Sequence, residues 1–295
     1  MKLGYACERQ CLFCVQGDLR RLHPRPQPPD ALAAALRDGR TRASTAVFTG
    51  GEPTLFPYLP DLVRLARLLG YTRVQIQSNG RRFADPAYCR ALIAAGADEF
   101  ALSVHGSTPA VHDALTGVPG SFARVWAGLA NLLRLGRPVL TNTVVTRSNM
   151  AELPALAGLL TRAGVRHLQF AFLHIVGRAA EGADWLVPRK TEAVPHMLRA
   201  VAAARAAGAQ AFTEGVPPCL LRGVSDCAAE AGMPAMDVRH ADGTACVDFS
   251  RERREVQKSK GPRCPECAWF RSCEGPWREY PERFGWGEFV PVAAR

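Results

Sequence analysis

From its start to about residue 212 the chain alternates short β-type runs with stretches whose apolar residues recur at helical spacing. That alternation restricts the fold to βα units around a parallel sheet. The expected strands are residues 2–6, 46–49, 74–78, 99–104, 140–145 and 167–172. Between them, Pro60 and Asp61 open a helix over 62–69, Asp85 and Pro86 open one over 87–95, and Asn149 precedes one over 150–163. Six such units make a partial (β/α)6, TIM-like barrel of the α/β class, in which function sits on the loops after the C-terminal strand ends.

At 295 residues and 47% hydrophobic, the chain has material for one large core, or for one core with a small appended module. Beyond Phe212 the alternation stops, and Pro217, Pro218 and a cysteine- and aromatic-rich tail replace it. Residues 1–212 are therefore expected to form the barrel, and residues 213–295 a small cysteine-rich C-terminal extension ordered by a metal site. Residues 1–6 are too short for a signal peptide and no apolar run reaches bilayer length, so the expectation is a soluble, cytoplasmic protein without membrane contact.

Ten cysteines in such a chain point to metal binding rather than disulfides, because the cytosol keeps thiols reduced. Lysine and arginine (37) exceed aspartate and glutamate (27), a net charge of +10 that favours anionic partners, although a solvated surface accounts for most of it.

The loop after the first expected strand carries Cys7, Cys11 and Cys14. Three close soft ligands without a fourth suit an iron-sulfur cluster with one open iron, and a structural zinc site is the alternative that spacing alone leaves open. After the second expected strand comes Gly50-Gly51-Glu52-Pro53. Glycines there allow close approach of a ligand to the main chain, and Glu52 can accept hydrogen bonds from a cationic amino group.

The CxxxCxxC loop, with Phe13 before its last cysteine, and the GGEP turn together closely resemble the radical S-adenosylmethionine (SAM) superfamily over residues 2–212. The resemblance implies that Cys7, Cys11 and Cys14 hold a [4Fe-4S] cluster whose open iron chelates the amino and carboxylate groups of SAM. Gly50, Gly51, Glu52 and Pro53 match the segment that binds the methionine amino group. An electron from a donor such as flavodoxin or ferredoxin would then split SAM into methionine and a hydrogen-abstracting 5′-deoxyadenosyl radical. Ser78-Asn79-Gly80 resembles the family's Thr-Asn-Gly turn, and Ser103 and Asn142 fall where the family often supplies polar contacts to SAM. His105 is read as a proton-transfer group or pocket wall, His112 and Asp113 as parts of a solvated helix face, and Cys89 as a core residue.

In the tail, Cys264, Cys267 and Cys273 alone suggest zinc. Their spacing also resembles part of the SPASM and twitch extensions, which implies a second, auxiliary [4Fe-4S] cluster. Cys219 is its expected fourth ligand, with Cys227 and Cys246 as substitutes. Glu274 to Trp277 bring no further cysteine, so two auxiliary clusters are not expected. Aromatic residues from Trp269 to Trp286 are expected to pack a small core around the metal, and the basic run 251–263 to be a solvated loop or a grip on an anionic substrate.

The expected function is radical modification of a peptide or small metabolite. An RNA- or nucleotide-modifying radical enzyme is the alternative, and a non-catalytic zinc module binding nucleic acid is the reading from another class. With only six residues before Cys7, no N-terminal cobalamin or peptide-recognition domain is expected, so leader-peptide recognition would need the barrel or a separate protein.

Overall fold

The computed structural model describes residues 1–293. One sheet of six parallel strands runs in chain order, β1 (Thr45–Phe48), β2 (Arg73–Ser78), β3 (Glu99–Ser103), β4 (Val139–Val145), β5 (His167–Phe172) and β6 (Gln210–Glu214). Helices α1 (Pro29–Arg40), α2 (Leu59–Leu68), α3 (Pro86–Ala95), α4 (Pro109–Thr116), α5 (Ser121–Arg134), α6 (Leu153–Ala163) and α7 (Lys190–Ala206) fill the connections. This is the partial α/β barrel that the alternation predicts.

Strand periodicity divides the side chains between two environments. Ile76, Phe100, Leu102, Leu168 and Phe170 point to the helical layer and are fully buried. The intervening residues Gln75, Gln77, Ala101, Asn142, His167 and Gln169 line the barrel interior. Helix starts follow the predicted chemistry: the Asp85 carboxylate accepts the Ala87 amide at 2.8 Å, with Pro86 in the first turn.

Two assignments differ from expectation. Residues 2–6 are not a regular strand, since Lys2 alone bridges to Thr49. The segment still runs beside the end of β1, where Leu3 donates to the Thr49 carbonyl and the Gly51 and Glu52 amides donate to Gly4 and Ala6. It curves around the Gly50-Gly51 turn, whose main chain lies so close that a Cβ on Gly51 would collide with the Tyr5 and Ala6 carbonyls. The sixth strand is instead β6, which carries the sheet to Glu214, past the expected barrel end at 212.

The tail folds back onto the barrel. Helix α8 (Glu279–Phe284) sets Tyr280 edge-on to Phe172, with ring centroids 5.5 Å apart, and the Tyr280 hydroxyl accepts the Lys190 amide at 2.7 Å. Trp277 stacks on His174 at 4.3 Å. The basic run 251–263 is no simple solvated loop, because Arg253 and Lys258 are buried in an ionic network. Arg253 forks onto Glu274 at 2.7 and 2.9 Å, and Lys258 reaches Glu230 at 2.7 Å and Glu274 at 3.1 Å. Among the described residues, no helix is long and apolar enough to cross a membrane.

Candidate active site

The cysteine loop is held at the mouth of the barrel by main-chain bonds on both sides. The Gln10 and Leu12 amides donate to Thr116 and Leu115 at the end of α4, and the Cys14 carbonyl accepts from Gly17 and Arg178. Gly177 makes the second contact possible: its φ is 56°, and an added Cβ would lie 2.6 Å from the Cys14 carbonyl oxygen.

Cys7, Cys11 and Cys14 line one cavity of about 430 Å³, together with Gly50, Gly51, Ser78, Asn79, Ser103 and Asn142. Burial pushes the thiols of Cys7 and Cys11 up to about 11 and about 12. They are therefore protonated at neutral pH without a ligand, and metal binding must displace those protons. Donors already point at the sulfurs: the Arg9 amide lies 3.4 Å from Cys7 Sγ and an Arg20 Nη lies 3.7 Å from Cys14 Sγ.

Glu52 and Pro53 sit behind this wall rather than on it. The Glu52 carboxylate is fully buried and accepts from the Thr54 hydroxyl (2.6 Å), the Thr54 amide (3.1 Å), the Ser78 hydroxyl (2.7 Å) and the Asn79 amide (2.7 Å). Burial raises its pKa, opposed by those hydrogen bonds. The glycines likewise serve close approach by the chain's own residues 4–6. Asn79 also donates to Glu8 at 3.0 Å, which links the turn after β2 to the cysteine loop.

Ser103, Asn142, Gln169 and Phe212 stand in register across β3 to β6. The buried Asn142 Oδ1 has no hydrogen-bond partner within the chain, so it offers a free acceptor to a ligand. Gln169 was missed by sequence reasoning, although its period-two spacing from His167 is the signal that finds it. His105 lines the cavity, accepts the Val144 amide on Nδ1 at 3.2 Å and is held neutral by burial. His112 is not on a solvated face but fully buried, accepting the His105 amide on Nδ1 at 3.0 Å. Asp113 caps the next helix by accepting from Gly120 and Phe122, both at 2.7 Å. Cys89 is a core residue, as expected, with its thiol on the Phe83 carbonyl at 3.1 Å.

In the tail, Cys219, Cys264, Cys267 and Cys273 ring a second cavity, walled by Trp269, Phe270 and Trp286. Burial, with Cys273, Cys267 and Cys264 alongside, pushes the Cys219 thiol up to about 12. Cys227 instead packs in the core against Thr213, and Cys246 faces Glu252 in the β7–β8 hairpin (Val238–Arg239, Ala245–Cys246). Among the described residues, no three His, Cys, Asp or Glu side chains converge on a single-ion position.

The sequence profile of the Radical SAM superfamily matches residues 1–160. The chain belongs to that superfamily. Membership implies a [4Fe-4S] cluster and SAM, and the donor set of Cys7, Cys11 and Cys14 around one cavity fits them. Among similar proteins is the PqqA peptide cyclase of Ruegeria pomeroyi, 32% identical over 223 residues, 74% of this chain and 58% of that one. A probable GTP 3′,8-cyclase of Saccharolobus islandicus is 33% identical over 180 residues, 59% of this chain and 56% of that one. The chain thus spans little more than half the length of these curated relatives. Streptococcus suis SuiB bound to S-adenosylmethionine shares the fold at a TM-score of 0.68 and 15% identity, over 92% of this chain and 71% of that one. So does anSMEcpe with bound AdoMet and Cp18Cys peptide, at 0.67 and 17%, over 94% and 87%.

Proposed function

We propose that this radical SAM protein reductively cleaves S-adenosylmethionine at the Cys7–Cys11–Cys14 loop and modifies a peptide by hydrogen abstraction. The cluster, when bound, supplies the electron that splits the sulfonium. The chain's own residues do the holding: the Gly50-Gly51 turn, Ser78, Asn79, Ser103 and the unpartnered Asn142 Oδ1 form the polar wall for SAM, while Glu52 braces that wall from behind through Ser78 and Asn79.

The observation that carries the peptide reading is the character of the barrel interior. The cavity runs from the cysteines down to Gln75 and His167 at the opposite strand ends. Its deeper wall is, among the described residues, polar and without cations: Gln75, Gln77 and Gln169 line it, and the Gln75 and Gln169 amides donate to the Glu99 and Glu214 carboxylates. Among the described residues, the cationic side chains lining it are Arg9 and Arg20, both at the cysteine loop, where Arg20 donates to the Cys7 and Arg9 carbonyls. A nucleoside triphosphate would need cations or amide nests to hold its charge. A peptide side chain needs only hydrogen-bonding partners. Similarity to a PqqA peptide cyclase favours the same reading, and similarity to probable GTP cyclases motivates the nucleotide alternative.

For residues 213–295 the proposal is an auxiliary [4Fe-4S] extension held by Cys219, Cys264, Cys267 and Cys273. Thiols spread around a cavity suit a polynuclear cluster, whereas structural zinc draws four sulfurs to about 2.3 Å from one point. A flavodoxin- or ferredoxin-like donor, and a separate peptide-recognition protein, complete the proposed partners.

The test is anaerobic incubation of reconstituted protein with SAM and dithionite, reading 5′-deoxyadenosine by mass spectrometry. The native chain is expected to form it and a variant with Cys7, Cys11 and Cys14 all changed to Ala to form none. Equal traces from both would sink the proposal, and saturable binding of GTP by the native protein would move the substrate assignment to the nucleotide alternative.

A further inference from the structure

Arg9 poses a physical problem that the site as described does not solve. It stands between Cys7 and Cys11, is 1% exposed and is among the largest fully buried side chains of the protein. A buried guanidinium is costly unless it is paired and its donors are satisfied. Here it makes no ion pair with a carboxylate among the described residues. Glu8 is engaged by Arg81 and Asn79, and both Glu52 oxygens are taken by the turns behind the wall.

Its hydrogen bonding is equally poor. One Nη donates to the Ser103 carbonyl at a long 3.3 Å, and Nε has no partner. The other Nη lies 3.3 Å from His112 Nε2. That contact is no bond, because His112 Nδ1 accepts the His105 amide and the neutral ring therefore carries its proton on Nε2. Two donors face one another, with the Ser121 hydroxyl nearby to accept the histidine's proton.

The charges that act on Arg9 are Cys11 and Cys7, with which it lines the cavity, and the Glu52 and Glu8 carboxylates, neither of which reaches it as an ion pair. Three thiolates carry more negative charge than an oxidised [4Fe-4S] core carries positive charge, and one-electron reduction adds another negative charge. We infer that Arg9 is a built-in counter-charge, beside Arg20, for the cluster on Cys7, Cys11 and Cys14, and that its guanidinium favours the reduced state. The inference rests on the proposal above that these cysteines hold that cluster. Arg9 is a positioning and tuning residue, and this role involves no proton transfer. Net charge and hydrogen bonding at the sulfurs are established controls of cluster potential, and a fixed charge inside a low-dielectric wall acts with little screening.

The test is a redox titration of reconstituted holoprotein without SAM, followed by electron paramagnetic resonance with dithionite as the one-electron reductant. The front-cluster signal is the part absent from the Cys7, Cys11, Cys14 triple alanine variant. Arg9→Gln is expected to lower its midpoint by about 59 mV or more, equivalent to a tenfold or greater loss in the one-electron reduction equilibrium. Arg9→Lys, which keeps the charge, is expected to stay close to native. An Arg9→Gln protein with native iron content and native midpoint overturns the inference. Should Arg9→Gln fail to load iron, loading by Arg9→Lys supports a role for charge, and failure of both overturns it in favour of packing. A native protein without iron at the front site would instead defeat the proposed function on which the inference stands.

Discussion

Glu52 and Ser78, far apart in the chain, are joined by a 2.7 Å hydrogen bond in which the serine hydroxyl donates to the buried carboxylate. The bond fastens the turn after β1 to the turn after β2, and the Asn79 amide doubles it on the other carboxylate oxygen. Glu52→Gln turns one acceptor into a donor aimed at existing donors. The expected cost is about 1–3 kcal/mol, read as a lower urea midpoint, with Ser78→Ala costing about 1 kcal/mol.

His112 supplies a pH prediction. Burial pulls its pKa down to about 3, below the ordinary value of 6.5, and His105 is lowered in the same direction. Below pH 6.5 the unfolded chain binds protons that the folded chain refuses, so stability falls as pH drops from 6.5 toward 3. Each such group contributes a slope of up to about 1.4 kcal/mol per pH unit. His112→Asn keeps an acceptor for the His105 amide but cannot titrate. Urea midpoints between pH 7 and 5 are expected to fall less steeply in that variant; parallel slopes would exclude His112 as a source.

Glu274 is the carboxylate partner of the buried Arg253 and shares the buried Lys258 with Glu230; the two cations are 4% and 1% exposed. Removing its charge leaves Arg253 without a carboxylate, and Glu274→Gln is expected to destabilise the tail by about 3–5 kcal/mol. Limited proteolysis of the holoprotein would show cleavage in residues 213–293 before the barrel is cut.

The barrel and both cysteine groups were legible because their signals are local: strand alternation, helix caps such as Asp85, and thiols at fixed spacings. What escaped depends on contacts between distant segments. Residues 2–6 have strand-like composition, but only Lys2 pairs with the end of β1, and Gly4 and Ala6 accept instead from the amides of the Gly51-Glu52 turn. Glu52 was expected to face SAM, and Ser78 and Asn79 draw its oxygens to the back of the wall instead. His112 and Asp113 looked solvated because α4 carries polar residues, yet one is buried against His105 and the other caps α5. Arg9, Gln169 and Glu274 owe their significance to burial and register, which spacing along the chain does not report.

Among the three candidates for a fourth tail ligand, only Cys219 stands beside Cys264, Cys267 and Cys273. Cys219→Ser is expected to change the spectrum or iron content of the auxiliary cluster, while Cys227→Ser and Cys246→Ser retain both. A native-like Cys219→Ser protein with an altered Cys246→Ser protein would reverse the assignment.

The most direct test of the central claim is the iron and acid-labile sulfide content per chain after anaerobic reconstitution, comparing the native protein with the Cys7, Cys11, Cys14 triple alanine variant. Two [4Fe-4S] clusters predict about eight irons in the native protein and about four in the variant. Equal iron in the two proteins, or none in the native one, would contradict a cluster on the Cys7–Cys11–Cys14 loop.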